Sequence, residues 1–205
     1  MDAFSGDEVE FLKQAGLFAW KERLTQRIKN ALEALHDALA VRLTPDVLLA
    51  PDGMDWTRWQ LVRGERFGGR PYAYLDFPQY FTREAKFTYR SMFWWGEGFF
   101  FAMILEGDLL ARYRTNLEMS FDAVADRELA LSLSETPWEW HATGPTVLPI
   151  RTEIGDSVIS ALRSRTFLKI QRAVSLDRLS EPDAIVRESL KTFEDLMPVV
   201  TRTGS

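Results

Sequence analysis

Arg63, Arg66, Arg70, Tyr72 and Tyr74 are the residues of this chain whose types and spacing point most directly to chemistry. Guanidinium groups fork onto carboxylate or phosphate, and phenol rings beside them can stack on a planar group. The set reads as a ligand-binding face for an anionic small molecule or a protein partner. The plainer alternative is a turn whose arginines lie over exposed rings. Arginine with aromatics would also suit single-stranded nucleic acid by stacking, but the net charge of −5 argues against nucleic acid as a partner.

A second set, Pro51-Asp52 with Glu84-Ala85-Lys86, follows the order used by metal-dependent phosphodiester hydrolases. In such enzymes two carboxylates hold Mg²⁺ and a lysine steadies the attacking water. Pro-Asp recurs at positions 45–46 and 182–183, so a pattern this short arises readily by coincidence. An acidic chain also lacks the broad basic channel that phosphate contacts along a nucleic acid require. His36 sits at the edge of an apolar helical stripe, and His141 follows Glu139 at strand spacing. Two distant histidines without cysteine do not compose a conventional zinc site. Gly-x-Ser-x-Gly, a phosphate loop and a dinucleotide fingerprint are all missing. The expectation is a non-catalytic binding or scaffold role with no cofactor, with a nuclease-like hydrolase using Asp52, Glu84 and Lys86 as the alternative.

The elements that must position these residues are dominated by rings. Residues 56–101 hold 16 of the 26 aromatic side chains. A buried Phe contributes roughly 1.5–3 kcal/mol, so this stretch should build the centre of the core. Residues 56–93 also carry seven cations against three acids, +4, which leaves −9 for the remainder. A length of 205 residues suits one domain over 1–205. The absence of cysteine excludes disulfides and agrees with a reducing cytoplasm. The start of the chain does not read as a targeting segment. The longest apolar run, Phe99 to Leu105, is far short of the roughly 20 residues of a membrane helix. A soluble, cytoplasmic protein without a membrane partner is the expectation.

Helical spacing predicts a short helix over Asp7 to Gln14 and a long one over residues 20–43, with Leu24, Ile28, Leu32, Leu35 and Leu39 on one side. From Trp56 the period becomes two. Pro71 to Phe77, Lys86 to Trp95 and Phe99 to Leu105 read as strands, the last two joined across Gly96-Glu97-Gly98 as a hairpin. Phe99 to Leu105 is apolar on both faces and should be central. A helix follows over Leu110 to Val124, then a strand at Trp138 to His141, a helix around Ile154 to Leu162 and a strand at Phe167 to Arg172. The last helix should start from a capping box at Ser180 and stop at Pro198. The fold class is therefore α+β, with helices packed around a mostly antiparallel, aromatic-rich sheet whose middle is the 86–105 hairpin.

Several segments together resemble a known family. They are Phe4-Ser5-Gly6-Asp7-Glu8-Val9-Glu10-Phe11-Leu12 at the start and Arg66-Phe67-Gly68-Gly69-Arg70-Pro71-Tyr72 in the middle. Near the end come Leu162-Arg163, Phe167-Leu168-Lys169, a Leu-Asp-x-Leu linker, a Pro-Asp and Phe193-Glu194-Asp195-Leu196-Met197-Pro198. In these the chain resembles the conserved bacterial family called domain of unknown function 2461. It departs in having Gly68-Gly69-Arg70 where the family pattern is a lysine-rich triplet. The resemblance implies a single α+β domain and supplies no activity.

Overall fold

Alternating side chains from Gln60 onward make an antiparallel meander, because each successive strand is reached by a short turn and buries one ring-rich face. The coordinates are a computed structural model that describes residues 3–181 and 183–202. The meander comprises β1 (Gln60–Phe67), β2 (Arg70–Phe81), β3 (Lys86–Trp94) and β4 (Gly98–Glu106). Three further strands follow, β5 (Ala130–Ser132), β6 (Val147–Pro149) and β7 (Leu168–Val174). The spatial order is β1-β2-β3-β4-β7-β5-β6 and every pairing is antiparallel. β4 is thus the central strand, as its two apolar faces require.

The helices are α1 (Gly6–Leu12), α2 (Gly16–Arg42), α3 (Leu110–Met119), α4 (Phe121–Val124), α5 (Gly155–Arg163) and α6 (Ala184–Val200). Leu32, Leu35 and Leu39 of α2 join Phe193, Leu196 and Val199 of α6 over Tyr89, Phe93, Phe99, Phe101 and Met103, and these belong to the main core. Polar anchors fix α6 on the sheet. The Tyr89 hydroxyl donates to the Ser189 carbonyl at 2.7 Å, and Arg172 of β7 donates to Asp195 at 2.6 Å and to Thr192 Oγ1 at 2.8 Å. The opposite face of the sheet has its own smaller cluster, Met92, Phe100, Ala102, Ile104 and Trp140, to which no helix contributes. The fold is α+β, helices packed on an antiparallel, aromatic-rich sheet.

Four local expectations are corrected. Trp138 to His141 is a loop, although its side chains alternate: the edge of β7 that it would pair with is occupied by β5. The helix expected over 110–124 is broken at Ser120, whose hydroxyl donates to the Asn116 carbonyl at 2.5 Å and competes with the helical ladder. Pro198 does not stop α6, which runs two residues further. The Asn116 amide instead donates to the carbonyls of Val199 and Thr201, satisfying the helix end from outside. Pro182 of the expected capping box lies outside the described residues. Ser180 donates to the Asp177 carbonyl, and α6 begins after Asp183 without a side-chain cap. Strands β1, β5 and β6 add to the elements foreseen.

The β3–β4 turn gives a test of the central hairpin. Gly98 has φ of +122°, and a Cβ there would collide with the Val174 carbonyl on the neighbouring strand, whereas Gly69 (φ +77°) has open space around it. Gly98→Ala should therefore lose about 3 kcal/mol or more from strain and overpacking together. Gly69→Ala should lose only about 1 kcal/mol. Urea unfolding of the two variants checks this, and equal losses would contradict the packing at Gly98.

Candidate functional site

The strand registers bring a polar row to the face of the sheet that no helix covers. Gln60 lies opposite Asp76, Asp76 opposite Arg90, Arg90 opposite Ala102 and Ala102 opposite Gln171, so one line crosses five strands. The next line holds Gln79, Thr88, Ile104 and Lys169. On the other side run Val62, Tyr74, Met92 and Phe100, then Gly64, Tyr72 and Trp94. A side chain at Gly64 would occupy the space of the Tyr72 ring, so the glycine lets that ring lie flat across the strands. Polar residues thus sit inside a ring-lined surface.

Arg90 organises this surface. Its Nε and one terminal nitrogen each donate to Asp76 at 2.7 Å, a two-pronged pair in which Arg90 is 6% exposed and Asp76 not at all. Gln60 donates to the same carboxylate at 2.9 Å. The guanidinium lies 3.8 Å from the centre of the Tyr74 ring and 4.9 Å from that of Trp138. Burial pushes the Tyr74 hydroxyl above its ordinary pKa, and the Arg90 charge opposes that shift.

The loop after β5 roofs the face. Trp138 meets Phe81 at 5.9 Å and Trp140 meets Phe100 at 5.7 Å between ring centres. Two β7 side chains hold the loop down: Lys169 donates to the Glu139 carbonyl at 2.5 Å and Gln171 to the His141 carbonyl at 2.6 Å. Lys169 Nζ also stands 3.4 Å from the centre of the Trp140 ring. Burial chiefly, with the Arg90 charge second, lowers the Lys169 pKa to about 6 against an upward pull from Glu139. The Thr88 Oγ1 and the side-chain oxygen of Gln171, Oε1, are buried and unpartnered among the described residues.

Between the rings is a cavity of about 410 Å³ lined by Gln60, Phe67, Tyr72, Tyr74, Phe81, Lys86, Arg90, Met92, Trp138 and Trp140. A mainly apolar hollow with a few fixed polar groups is the usual form of a small-molecule site, and its size lies within the ~300–1,000 Å³ such sites span. It could accept a flat ring between the aromatic walls, with a polar or anionic edge toward Lys86 and Arg90.

The five residues singled out from the sequence are only partly brought together. Tyr72 and Tyr74 stack at 6.2 Å, nearly parallel, in the cavity wall. Arg63 lies on the other side of β1, in a separate hollow of about 230 Å³ beside Thr25 and Ile28. Arg66 is exposed near the β1–β2 turn and, among the described residues, makes no ion pair. Arg70 pairs with Glu97 at 2.8 Å and covers Trp94 at 4.5 Å. Arg90, Lys86 and the two tryptophans complete the cavity instead. The alternation in β3 that sets Thr88 and Arg90 opposite Tyr89 and Phe93 is the signal that finds Arg90.

The hydrolase set is arranged differently. Asp52 is exposed in the turn before β1, and Glu84 is exposed in the β2–β3 turn. Lys86 is bound across the hairpin to Glu106 at 2.6 Å. Among the described residues, no three His, Asp or Glu side chains gather as a metal set. His36 is wedged between Trp59 and Phe77, and His141 is exposed.

Lys169 gives this site a pH signature. In the folded chain it is neutral above about pH 6, whereas the unfolded chain keeps it protonated until about pH 10.5. The unfolded state binds more protons in that window, so this group makes stability rise with pH from about 6 to about 10.5 and contributes no slope below 6. Lys169→Met should flatten the rise when urea midpoints are compared across the window. A constant difference between the two proteins would mean that the ammonium stays charged under its tryptophan.

No protein-family model matches the chain, and no curated protein or solved structure matches it.

Proposed function

We propose that the protein is a non-catalytic binding module that takes a small, flat, anionic molecule on the open face of its sheet. The observation that carries this reading is the ring-walled cavity with a buried guanidinium in its floor. Tyr72, Tyr74, Phe67, Phe81 and Trp138 offer faces and edges to a planar group, and Arg90 and Lys86, paired with Asp76 and Glu106, offer their remaining N–H donors to its acidic edge. Asp76 occupies two of the Arg90 donors, so the charge orients a single acidic group and does not hold a polyanion. Ring area then supplies most of the affinity.

The reading includes a cytoplasmic setting, supported by a chain without cysteine. No helix is long and apolar enough to cross a membrane among the residues described. Kinship with domain of unknown function 2461 belongs to the same proposal, supported by the Phe4–Leu12 and Phe193–Pro198 segments.

Titration calorimetry and tryptophan fluorescence test it with 2-naphthoate, uncharged naphthalene derivatives, inorganic phosphate and Mn²⁺. Naphthoate should bind and quench the fluorescence, phosphate alone should not bind, and Tyr74→Ala and Trp138→Ala should each weaken naphthoate by about tenfold or more. No response to any ring compound would overturn the proposal. Stabilisation by Mn²⁺ that Glu84→Ala abolishes would favour the hydrolase built on Asp52, Glu84 and Lys86.

A further inference from the structure

Helix α1 and the first half of α2 leave several large apolar side chains in solvent. Helix α1 carries a full capping box, in which Glu8 N–H donates to Ser5 Oγ at 3.3 Å and Ser5 N–H donates to Glu8 Oε2 at 2.7 Å. No residue of α1 is buried, and α2 buries none before Leu32. Phe4 is 72% exposed, Phe11 58%, Phe18 68% and Trp20 58%, with Leu12 and Leu17 also bare. Short helices in water draw most of their stability from packing an apolar face. Among the described residues, Phe4, Phe11, Leu12, Leu17, Phe18 and Trp20 join neither core cluster, and the stripe first meets the core at Ile28.

The stripe runs into a groove. Along α2, Leu17, Trp20, Leu24, Ile28 and Ala31 recur every three or four residues and so share one side. Leu24, Ile28 and Ala31 form one wall of a hollow of about 680 Å³, whose other walls are Phe99, Leu179 and Ile185. A protruding apolar arm and an apolar groove are therefore continuous on one surface, which is what a two-fold, self-complementary contact requires. At about 200 Å² per ring, Phe4, Phe11 and Trp20 offer on the order of 400 Å² of exposed ring. The bare leucines and valine bring the arm near the ~800 Å² per partner of a standard stable interface. That exceeds the roughly 300–600 Å² patch usual on a monomer.

We propose that this surface binds a second copy of the same chain. The two α2 helices run antiparallel with the two-fold axis near Trp20, and the α1 of each copy lies in the groove of the other. The contact does not involve the ring-walled cavity, so dimerisation and ligand binding stand or fall separately.

Sedimentation velocity of the full chain at about 1–100 μM, where interfaces of this size associate, should show a dimer. Trp20→Glu should raise the dimer dissociation constant by at least about 100-fold. It should leave circular dichroism unchanged, because Trp20 is 58% exposed in the monomer and belongs to neither core cluster. The chain has no cysteine, so Leu12→Cys protein mixed with Ser180→Cys protein should form a disulfide between the two variants. A monomer at every concentration overturns the proposal, as does a dimer indifferent to Trp20→Glu. A ladder of higher species would mean head-to-tail contact, and a monomer that binds phosphatidylglycerol vesicles would mean a lipid surface; each refutes the two-fold pair.

Discussion

A guanidinium in the middle of an aromatic sheet face has to be neutralised, and Asp76 does that for Arg90. The two residues stand opposite each other on β2 and β3, so the sheet register itself delivers the pair. Removing either partner would strand a charge among rings, a cost several times the worth of a surface ion pair. Held by its edge, the guanidinium lies against the rings of Tyr74 and Trp138. The Trp138 loop is thereby drawn over the sheet, and the cavity is the space left between that loop and the Tyr72–Tyr74 stack.

The two sides of the sheet divide the labour. The helix-covered side is a conventional core in which rings, leucines and a few polar anchors fix α2 and α6. The other side has only a loop for cover, and that loop is tied by Lys169 and Gln171 to carbonyl oxygens. Lys169 loses much of its proton affinity in the process, so part of the chain's stability is exchanged for a roof of defined position. A surface built this way leaves a cavity whose walls are strands and a loop, with no helix in its lining.

How much of this was legible in the sequence depends on how local each cause is. The central hairpin was, because period-two alternation and Gly96-Glu97-Gly98 act between neighbours. The long helix was too, from its leucine stripe. The three-residue strands β5 and β6 were not, since they form only because β7 offers an edge. Trp138 to His141 alternates like a strand and yet lies as a loop over the sheet, because β5 holds the β7 edge. Of the candidate residues, Tyr72 and Tyr74 were found by their place beside cations. Arg63, Arg66 and Arg70 shared their neighbourhood in sequence, but strand alternation sent Arg63 to the helix side, Arg66 is exposed near the turn, and Glu97 holds Arg70 over Trp94 outside the cavity lining. Arg90 was visible only as the cation opposite a buried ring face, with nothing to say that an aspartate fourteen residues away would meet it.

The most direct measurement of the central claim is a double-mutant cycle on Asp76 and Arg90, read by urea unfolding. The account predicts that Asp76→Leu and Arg90→Met each destabilise by about 3–5 kcal/mol, as expected for a buried charge left without its partner. It also predicts that the combined variant recovers most of that loss. Single losses below about 1 kcal/mol that simply add in the double variant would place the pair among ordinary surface contacts and contradict the account.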